Sequence, residues 1–140
     1  MDIRQITPAY HVSPQIAPED FAALAGAGYD LVICNRPDAE NPPELHMAVM
    51  AEAAKAAGIG FRTLPVDGTT MGPAAGAQQA ELCEGAAKVL AYCRTGTRCT
   101  FLWAFGEAGK RPTGEIVARA AEAGYDVSLL VPTLETLAKG

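Results

Sequence analysis

The stretch that decides the fold is an apolar strand that runs directly into a polar loop containing glycine, Lys88-Val89-Leu90-Ala91-Tyr92-Cys93-Arg94-Thr95-Gly96-Thr97-Arg98. The mostly apolar residues 88–92 predict a buried strand, and the residues after the loop predict a helix over 100–105. A short loop between a strand and a helix is typical of α/β proteins, in which helices connect parallel strands. We therefore expect a mostly parallel sheet with helices on its faces.

Outward from this stretch, short apolar runs alternate with longer helical segments along the chain. Strands are predicted at 3–6, 10–12, 31–34, 61–66 and 88–92. Helices are predicted at 17–26, 44–57, 77–84, 100–105, 115–123 and 134–139, and residues 127–131 fit either a strand or a helix. No repeat or linker divides the chain, so the 140 residues predict a single α/β domain, 1–140.

Charge and hydropathy exclude several classes of function. The net charge is −5 and the basic residues are scattered, which argues against nucleic-acid binding because phosphates would meet no basic surface. No apolar run is long enough to cross a bilayer, and the N-terminus lacks the pattern of a signal peptide. We expect a cytoplasmic protein that does not bind membranes. Its oligomeric state is not encoded in any pattern of the sequence.

The four cysteines are predicted to be free thiols rather than disulfides or metal ligands. No Cys-x-x-Cys pair is present, and the chain contains two histidines that lie far from the cysteines in sequence. Structural zinc sites need closely spaced ligands of these types. We therefore expect no metal and no cofactor.

Cys93 has the sequence context of a nucleophilic thiolate. It ends a strand just before a helix, where unpaired backbone N–H groups and the helix dipole stabilise an anion. Such settings lower the pKa of cysteine from about 8.5 to roughly 3.5–7.5. Gly96 permits the backbone to curl, and Arg98 supplies a planar fork for an oxyanion. The remaining members of the predicted anion-binding loop are Arg94, Thr95, Thr97 and Cys99.

The order strand, cysteine, glycine, arginine, helix resembles the anion-binding loops of cysteine-dependent phosphatases and of rhodanese sulfurtransferases. Four residues separate Cys93 from Arg98. This is one residue fewer than in those phosphatases and equals the spacing of the rhodanese-type loop. A shorter loop predicts a narrower anion, which favours sulfane sulfur on the thiolate over a full phosphate.

From about residue 6 to residue 104, the chain resembles the phosphatase-like domain of the bacterial beta-lactamase hydrolase-like proteins, a family also associated with sulfur transfer. The resemblance is carried by Ser13-Pro14-Gln15-Ile16, by 28–33, by Asn35-Arg36-Pro37-Asp38-Ala39-Glu40, by Pro65-Val66 and by 92–98. It implies a fold like that of the dual-specificity tyrosine phosphatases. Two positions depart from the family: Cys99 replaces the usual Ser, and Cys34 stands where Asn is common. Because a thiol is a weaker donor than a hydroxyl, Cys99 predicts either slower turnover or a part in redox chemistry.

Four further residues are candidates for a supporting role. Asp38 is predicted to act as a general acid or to orient Arg98, although Arg36 and Asp38 could instead fix their own loop by pairing with Glu40. Asp67 is a second candidate acid in a glycine-rich loop, where a solvated turn is the simpler interpretation. Cys34 ends its strand and could reach Cys93 to form a reversible disulfide, or could pack in the core.

Three functions fit this pattern. The favoured hypothesis is a cysteine-dependent sulfurtransferase in which Cys93 takes sulfane sulfur from a small anionic donor, thiosulfate or a persulfide, and passes it to a thiol or cyanide acceptor. The alternative is a phosphatase that hydrolyses a phosphate ester through a phosphocysteine, with Arg98 holding the phosphate oxygens. The third is a non-catalytic module that senses anions or redox state.

Overall fold

The computed structural model describes residues 1–140 and contains one five-stranded sheet. The strands are β1 (Arg4–Thr7), β2 (Tyr10–Ser13), β3 (Leu31–Cys34), β4 (Gly60–Thr63) and β5 (Val89–Tyr92). They lie in the order β1-β2-β5-β3-β4, with β1 antiparallel to β2 and every other neighbouring pair parallel. The mostly parallel sheet predicted from the sequence is therefore confirmed.

Six α-helices flank the sheet: α1 (Phe21–Gly26), α2 (Met47–Ala57), α3 (Pro73–Cys83), α4 (Thr97–Glu107), α5 (Thr113–Glu122) and α6 (Val131–Lys139). None combines the length and the hydrophobicity that a helix needs to span a bilayer.

Several boundaries differ from the prediction. Helix α3 begins at Pro73 rather than 77, because proline fits the first position of a helix. Helix α4 begins at Thr97 rather than 100, so it includes the end of the loop predicted after β5. Helix α2 begins only at Met47, since residues 43–45 form a separate 3-10 turn. Within the ambiguous segment 127–131, residues 128–130 form a 3-10 turn and Val131 begins α6.

The sheet separates two apolar layers. Alternate residues of the central strands face α4, α5 and α6 on one side, where Ile33 and Ala91 pack in a cluster of 18 buried residues. Their neighbours Val32 and Leu90 face α1 and α2 in a second cluster of 11. This alternation is the two-residue period of a strand buried on both faces.

Parallel pairing brings four strand ends to one edge of the sheet. The segments after β2, β3, β4 and β5 all leave from this carboxyl edge, and β5 lies between β2 and β3. Backbone hydrogen bonds continue past the strands there: Asn35 N–H donates to Tyr92 O at 2.9 Å, and Val66 N–H donates to Asn35 O at 3.0 Å. Open α/β folds bind ligands at this kind of edge.

Candidate active site

Cys93 lies at the centre of this edge, at the point where β5 ends. The whole of β5 is buried, and Cys93 itself has no exposed surface. Its sulfur is nevertheless not in a purely apolar setting, because the Gly96 N–H donates to Cys93 Sγ at 3.1 Å. We call residues 93–98 the Cys93 loop.

The surroundings of Cys93 favour its thiolate. Its pKa is lowered from 9.0 to about 5, first because the Cys99 thiol donates a hydrogen bond to it and then because the backbone N–H groups of Cys99, Thr95 and Gly96 face it. Burial acts in the opposite direction and is outweighed. The predicted nucleophile is thus an anion at neutral pH in this structure.

Gly96 cannot be replaced by another residue without strain. It precedes α4 with φ of +93°, a left-handed conformation that favours glycine. The hydroxyl of Tyr125 also occupies the space that a Cβ on Gly96 would need. That hydroxyl donates to the Thr95 carbonyl at 3.0 Å. Tyr125 was not among the residues expected from the sequence, since it lies 27 positions beyond Arg98 and no local pattern connects the two.

The two threonines of the Cys93 loop hydrogen-bond to each other. Thr95 Oγ1 accepts from the Thr97 N–H at 3.3 Å and donates to Thr97 Oγ1 at 3.0 Å, so the first amide of α4 is already paired. Arg94 is exposed, and its carbonyl accepts from the Gln15 N–H at 3.4 Å. Arg94 therefore presents a cation to solvent beside the loop.

Arg98 is fixed by two neighbouring segments. It forms a two-pronged ion pair with Glu40, with Nη2–Oε1 at 2.7 Å and Nη1–Oε2 at 2.9 Å, and it also donates to the Val66 carbonyl at 2.9 Å. The pair raises the pKa of Arg98, the thiolate of Cys93 adding to the effect, and lowers the pKa of Glu40. The Arg98 side chain remains 21% exposed, so part of the guanidinium faces solvent.

Asp38 is not the partner of Arg98. Its Oδ1 accepts from the Met47 N–H at 2.8 Å, which caps the start of α2, and Oδ2 lies 4.0 Å from His46 Nδ1. The prediction that Asp38 orients Arg98 is wrong because Glu40, two residues further along the 3-10 turn, reaches it instead. A general-acid role for Asp38 stays a prediction. What the structure gives this carboxylate is a hydrogen bond that stabilises the N-terminus of α2.

Arg36 fixes the segment after β3. Its guanidinium donates to the Glu40 carboxylate at 3.3 Å, to the Glu40 carbonyl at 2.9 Å and to Gln15 Oε1 at 3.3 Å. Glu40 thus lies between two arginines, Arg36 and Arg98. The simpler interpretation of Arg36, as a residue that stabilises its own loop, fits these contacts.

Asp67 lies one residue beyond the carbonyl that Arg98 contacts. Its carboxylate accepts hydrogen bonds from the side chain and backbone of Thr69, with O–O at 2.7 Å and N–O at 2.8 Å, and from Thr70. These bonds lower its pKa, the Thr69 hydroxyl contributing most. Asp67 therefore sits near the site in a turn of its own and is ionised in this conformation.

The two neighbouring cysteines have different surroundings. Cys99 is fully buried on the same side of the sheet as Cys93, and burial raises its pKa, so it is a thiol that donates to the Cys93 thiolate. Cys34 belongs to the opposite apolar cluster, and burial raises its pKa as well. Cys34 and Cys93 lie in clusters on opposite faces of the sheet, which fits the alternative that Cys34 packs in the core rather than forming a reversible disulfide with Cys93.

A buried polar network behind the loop was not predicted. Asn35 and Gln79 exchange two side-chain hydrogen bonds of 2.9 Å. Gln79 also donates to Tyr10 Oη at 3.1 Å, and Tyr10 donates to the Cys99 carbonyl at 2.7 Å. Asn35 further donates to the Leu64 carbonyl at 2.9 Å, so the network joins the start of α4 to the segment after β4.

A cavity of about 280 Å³ lies behind this network, between α3, α4 and the β1–β2 end of the sheet. It is lined by Tyr10, Gln79, Trp103 and Arg111 among others, and it contains no residue of the Cys93 loop. The chemistry of the site therefore does not coincide with this cavity.

Comparison with known proteins identifies the family of the chain. The model of the "Beta-lactamase hydrolase-like protein, phosphatase-like domain" family matches residues 2–110. The chain belongs to this family. A beta-lactamase hydrolase-like protein of Xylella fastidiosa (strain 9a5c) is 31% identical over 138 residues, which are 96% of this chain and 32% of that protein. The chain thus spans about a third of the length of the curated relatives it matches.

Solved structures show the same relationship. A candidate phosphatase from Neisseria meningitidis Z2491 is 34% identical and aligns over 98% of this chain and 99% of that one, with a TM-score of 0.84. Tk-PTP, 17% identical, aligns over 99% of this chain and 97% of its own with a TM-score of 0.72, which shows a shared fold. The tyrosine-phosphatase-like fold implied by the resemblance is confirmed.

The favoured hypothesis of sulfur transfer is wrong. The family domain is phosphatase-like, and the similar structures are phosphatases or candidate phosphatases rather than sulfurtransferases. The expectation depended on the four residues between Cys93 and Arg98. Because α4 already begins at Thr97, Arg98 is presented by the first turn of a helix and is held by Glu40, so the spacing alone does not set the width of the anion.

Proposed function

We propose that this chain is a cysteine-dependent phosphatase that hydrolyses phosphate monoesters. The observation that carries the proposal is the hydrogen bond that the Gly96 N–H donates to the Cys93 sulfur at the N-terminus of α4. Backbone N–H groups that stabilise a thiolate in this position can also bind phosphate oxygens. The family match to a phosphatase-like domain supports it.

In the first step the Cys93 thiolate attacks phosphorus, a sulfur–phosphorus bond forms, and the ester bond to the leaving oxygen breaks. The equatorial oxygens are stabilised by the loop amides and by the guanidinium of Arg98, whose fork suits two oxygens at once. Glu40 binds Nη1 and Nη2 and keeps the guanidinium in place, so the donors for the phosphate are the Nε–H and the second hydrogen of Nη2.

The leaving oxygen needs a proton, and Asp67 is the proposed donor. The turn that contains it follows Val66, whose carbonyl contacts Arg98. Asp67 is ionised here because Thr69 and Thr70 donate to it, so its role requires that these bonds break and that the carboxylate take up a proton when an ester binds. Because Cys93 has no exposed surface, substrate entry also requires that this segment or the Arg98 side chain shift.

In the second step water attacks phosphorus and passes a proton to the Asp67 carboxylate, the sulfur–phosphorus bond breaks, and inorganic phosphate and the Cys93 thiolate are released. Cys99 assists this step because its thiol donates to the departing sulfur. The step regenerates the starting enzyme without any further reactant.

The test is hydrolysis of p-nitrophenyl phosphate by the wild type, by Cys93→Ser and by Cys83→Ser. Cys83 is a half-buried cysteine on α3 whose pKa burial raises to about 11, so it serves as a matched control outside the loop. We expect turnover by the wild type and by Cys83→Ser but none by Cys93→Ser. Acid quenching should trap one phosphoryl group on the peptide that contains Cys93.

Wild-type turnover equal to that of Cys93→Ser, with no phosphoryl group trapped, would overturn the proposal. Binding of inorganic phosphate to such an inactive protein would instead indicate a non-catalytic anion-binding module.

A further inference from the structure

The peptide group between Thr95 and Gly96 is held from both sides. Its carbonyl accepts from the Tyr125 hydroxyl at 3.0 Å, and its N–H donates to Cys93 Sγ at 3.1 Å. In a trans peptide these two groups point in opposite directions from one plane. The orientation that satisfies Tyr125 is therefore the one that aims the N–H at the sulfur.

This orientation needs support because Gly96 is permissive. At φ of +93° it has no side chain to restrict the peptide plane on its N-terminal side. Rotation of that plane would turn the Thr95 carbonyl towards the sulfur and place a partial negative charge beside a thiolate. The Thr97 N–H cannot replace the lost donor, since it is paired with the Thr95 hydroxyl.

Tyr125 is well placed to prevent the rotation. It is half-buried between α5 and α6, and its own N–H donates to the Ala120 carbonyl at 2.9 Å. The turn before it is tied to β1, because Arg4 Nη1 donates to the Ala123 carbonyl at 3.1 Å. The Tyr125 hydroxyl also fills the space above Gly96. Residue 125 lies outside the 2–110 span that the family model matches.

We propose that Tyr125 is a positioning residue: its hydroxyl holds the Thr95–Gly96 peptide so that the Gly96 N–H faces the Cys93 sulfur and, in the reaction, the phosphate. Its kinetic consequence rests on the phosphatase function proposed above. Its effect on the thiolate does not, since the thiolate exists without any substrate.

The test compares Tyr125→Phe and Tyr125→Leu with the wild type and with Tyr29→Phe. Tyr29 is a matched control because its hydroxyl bonds His11 Nδ1 at 2.7 Å, and its ring packs in the cluster on the other face of the sheet. The rate of alkylation of Cys93 by iodoacetamide is followed from pH 4 to pH 9 by peptide mass spectrometry. The pH of half-maximal rate reports the pKa of Cys93.

If the loss of this positioning makes the ionisation constant of Cys93 about tenfold smaller, the fraction of thiolate at pH 5 falls about fivefold. We expect that fall in alkylation rate for Tyr125→Phe and no change for Tyr29→Phe. Both Tyr125 variants lack the hydroxyl, so either one that remains folded gives the answer. With p-nitrophenyl phosphate we expect the Tyr125 variants to have a lower kcat/KM than the wild type. The acidic limb of their kcat/KM profile should also lie at higher pH than that of the wild type.

An alkylation profile of a folded Tyr125 variant that superimposes on the wild type would overturn the proposal, whatever the phosphatase assay gives. If the profile shifts while the wild type hydrolyses no phosphate ester, Tyr125 still positions the peptide and only the phosphatase proposal fails.

Discussion

Replacing Glu40 with glutamine tests whether the orientation of Arg98 matters. The substitution keeps the size of the side chain but removes the charge from a pair whose two contacts measure 2.7 and 2.9 Å. The glutamine amide would still offer one acceptor oxygen, and Arg98 would keep its bond to the Val66 carbonyl. The guanidinium thus loses one of its two prongs and its neutralising partner.

The size of the effect follows from the exposure of the pair. Fully exposed pairs contribute about 0.2–1 kcal/mol, whereas breaking a buried pair costs about 3–5 kcal/mol. The side chains of Arg98 and Glu40 are 21% and 34% exposed, so solvent screens the pair in part. We expect the free energy of unfolding to fall by about 1 kcal/mol at pH 7. We expect kcat/KM to fall about tenfold, because a freely rotating Arg98 must be reoriented in the transition state.

The pH dependence has a definite sign. Arg98 lowers the pKa of Glu40 below its ordinary value of 4.5, so the pair stabilises the folded state fully above pH 4.5 and progressively less as the pH falls through the lowered pKa. Titration of Cys93 occurs in both proteins and cancels in their difference. The stability difference between the wild type and Glu40→Gln should therefore be constant from pH 6 to pH 8 and shrink below pH 4.5.

Urea unfolding at several pH values, together with kcat/KM for p-nitrophenyl phosphate, measures both effects. Glu44→Gln is the control, since Glu44 is an exposed carboxylate in the adjacent 3-10 turn that forms no ion pair. If Glu40→Gln retains wild-type kcat/KM, or if its stability deficit is as large at pH 3 as at pH 7, the role assigned to the Arg98–Glu40 pair is refuted.

Substitutions at four further positions test other features of the site. Cys99→Ala should raise the pKa of Cys93 and move the acidic limb of the kcat/KM profile, expected near pH 5, to higher pH. Cys99→Ser keeps a donor, and a stronger one, so it should not cause this shift. Identical pH profiles of Cys99→Ala and the wild type would contradict the role of the thiol. Asp67→Asn should slow alkyl phosphate hydrolysis at least tenfold more than that of p-nitrophenyl phosphate, whose leaving group needs less protonation; equal losses would exclude Asp67 as the acid. The free energy of unfolding of the wild type, measured in urea, should rise from pH 6 to pH 8, because the Cys93 thiol, with a pKa of about 5, is ionised there only in the folded state. Cys93→Ala should show no such rise. If the two proteins give parallel curves of unfolding free energy against pH, Cys93 is an ordinary thiol. Gln79→Leu should lower the free energy of unfolding by about 2–3 kcal/mol in urea, since it leaves the buried Asn35 Oδ1 without a donor; a change below about 0.5 kcal/mol would show that the network relaxes.

The sequence predicts the parts of this site whose cause is local. The strand before Cys93, the glycine at residue 96 and the parallel sheet follow from apolar runs and turn chemistry within a few residues. The contacts of Arg98 do not, because Glu40 and Val66 lie 58 and 32 positions away. Asp38 and Glu40 are both acids on one 3-10 turn, and only the direction of that turn decides which reaches Arg98 and which caps α2.

The error over sulfur transfer has the same physical origin. Counting residues from Cys93 to Arg98 assumes that the loop alone shapes the anion site. In the structure three parts of the chain shape the anion site: the first turn of α4, the 3-10 turn of Glu40, which fixes Arg98, and Tyr125, which contacts the Thr95–Gly96 peptide. Two of these parts of the site, the Glu40 turn and Tyr125, lie far from the Cys93 loop in sequence, so no local pattern predicts their contacts with it. The width and charge of the site are therefore properties of the carboxyl edge of the sheet as a whole, and a change at Glu40 or Tyr125 should alter anion binding even though the sequence of the Cys93 loop stays the same.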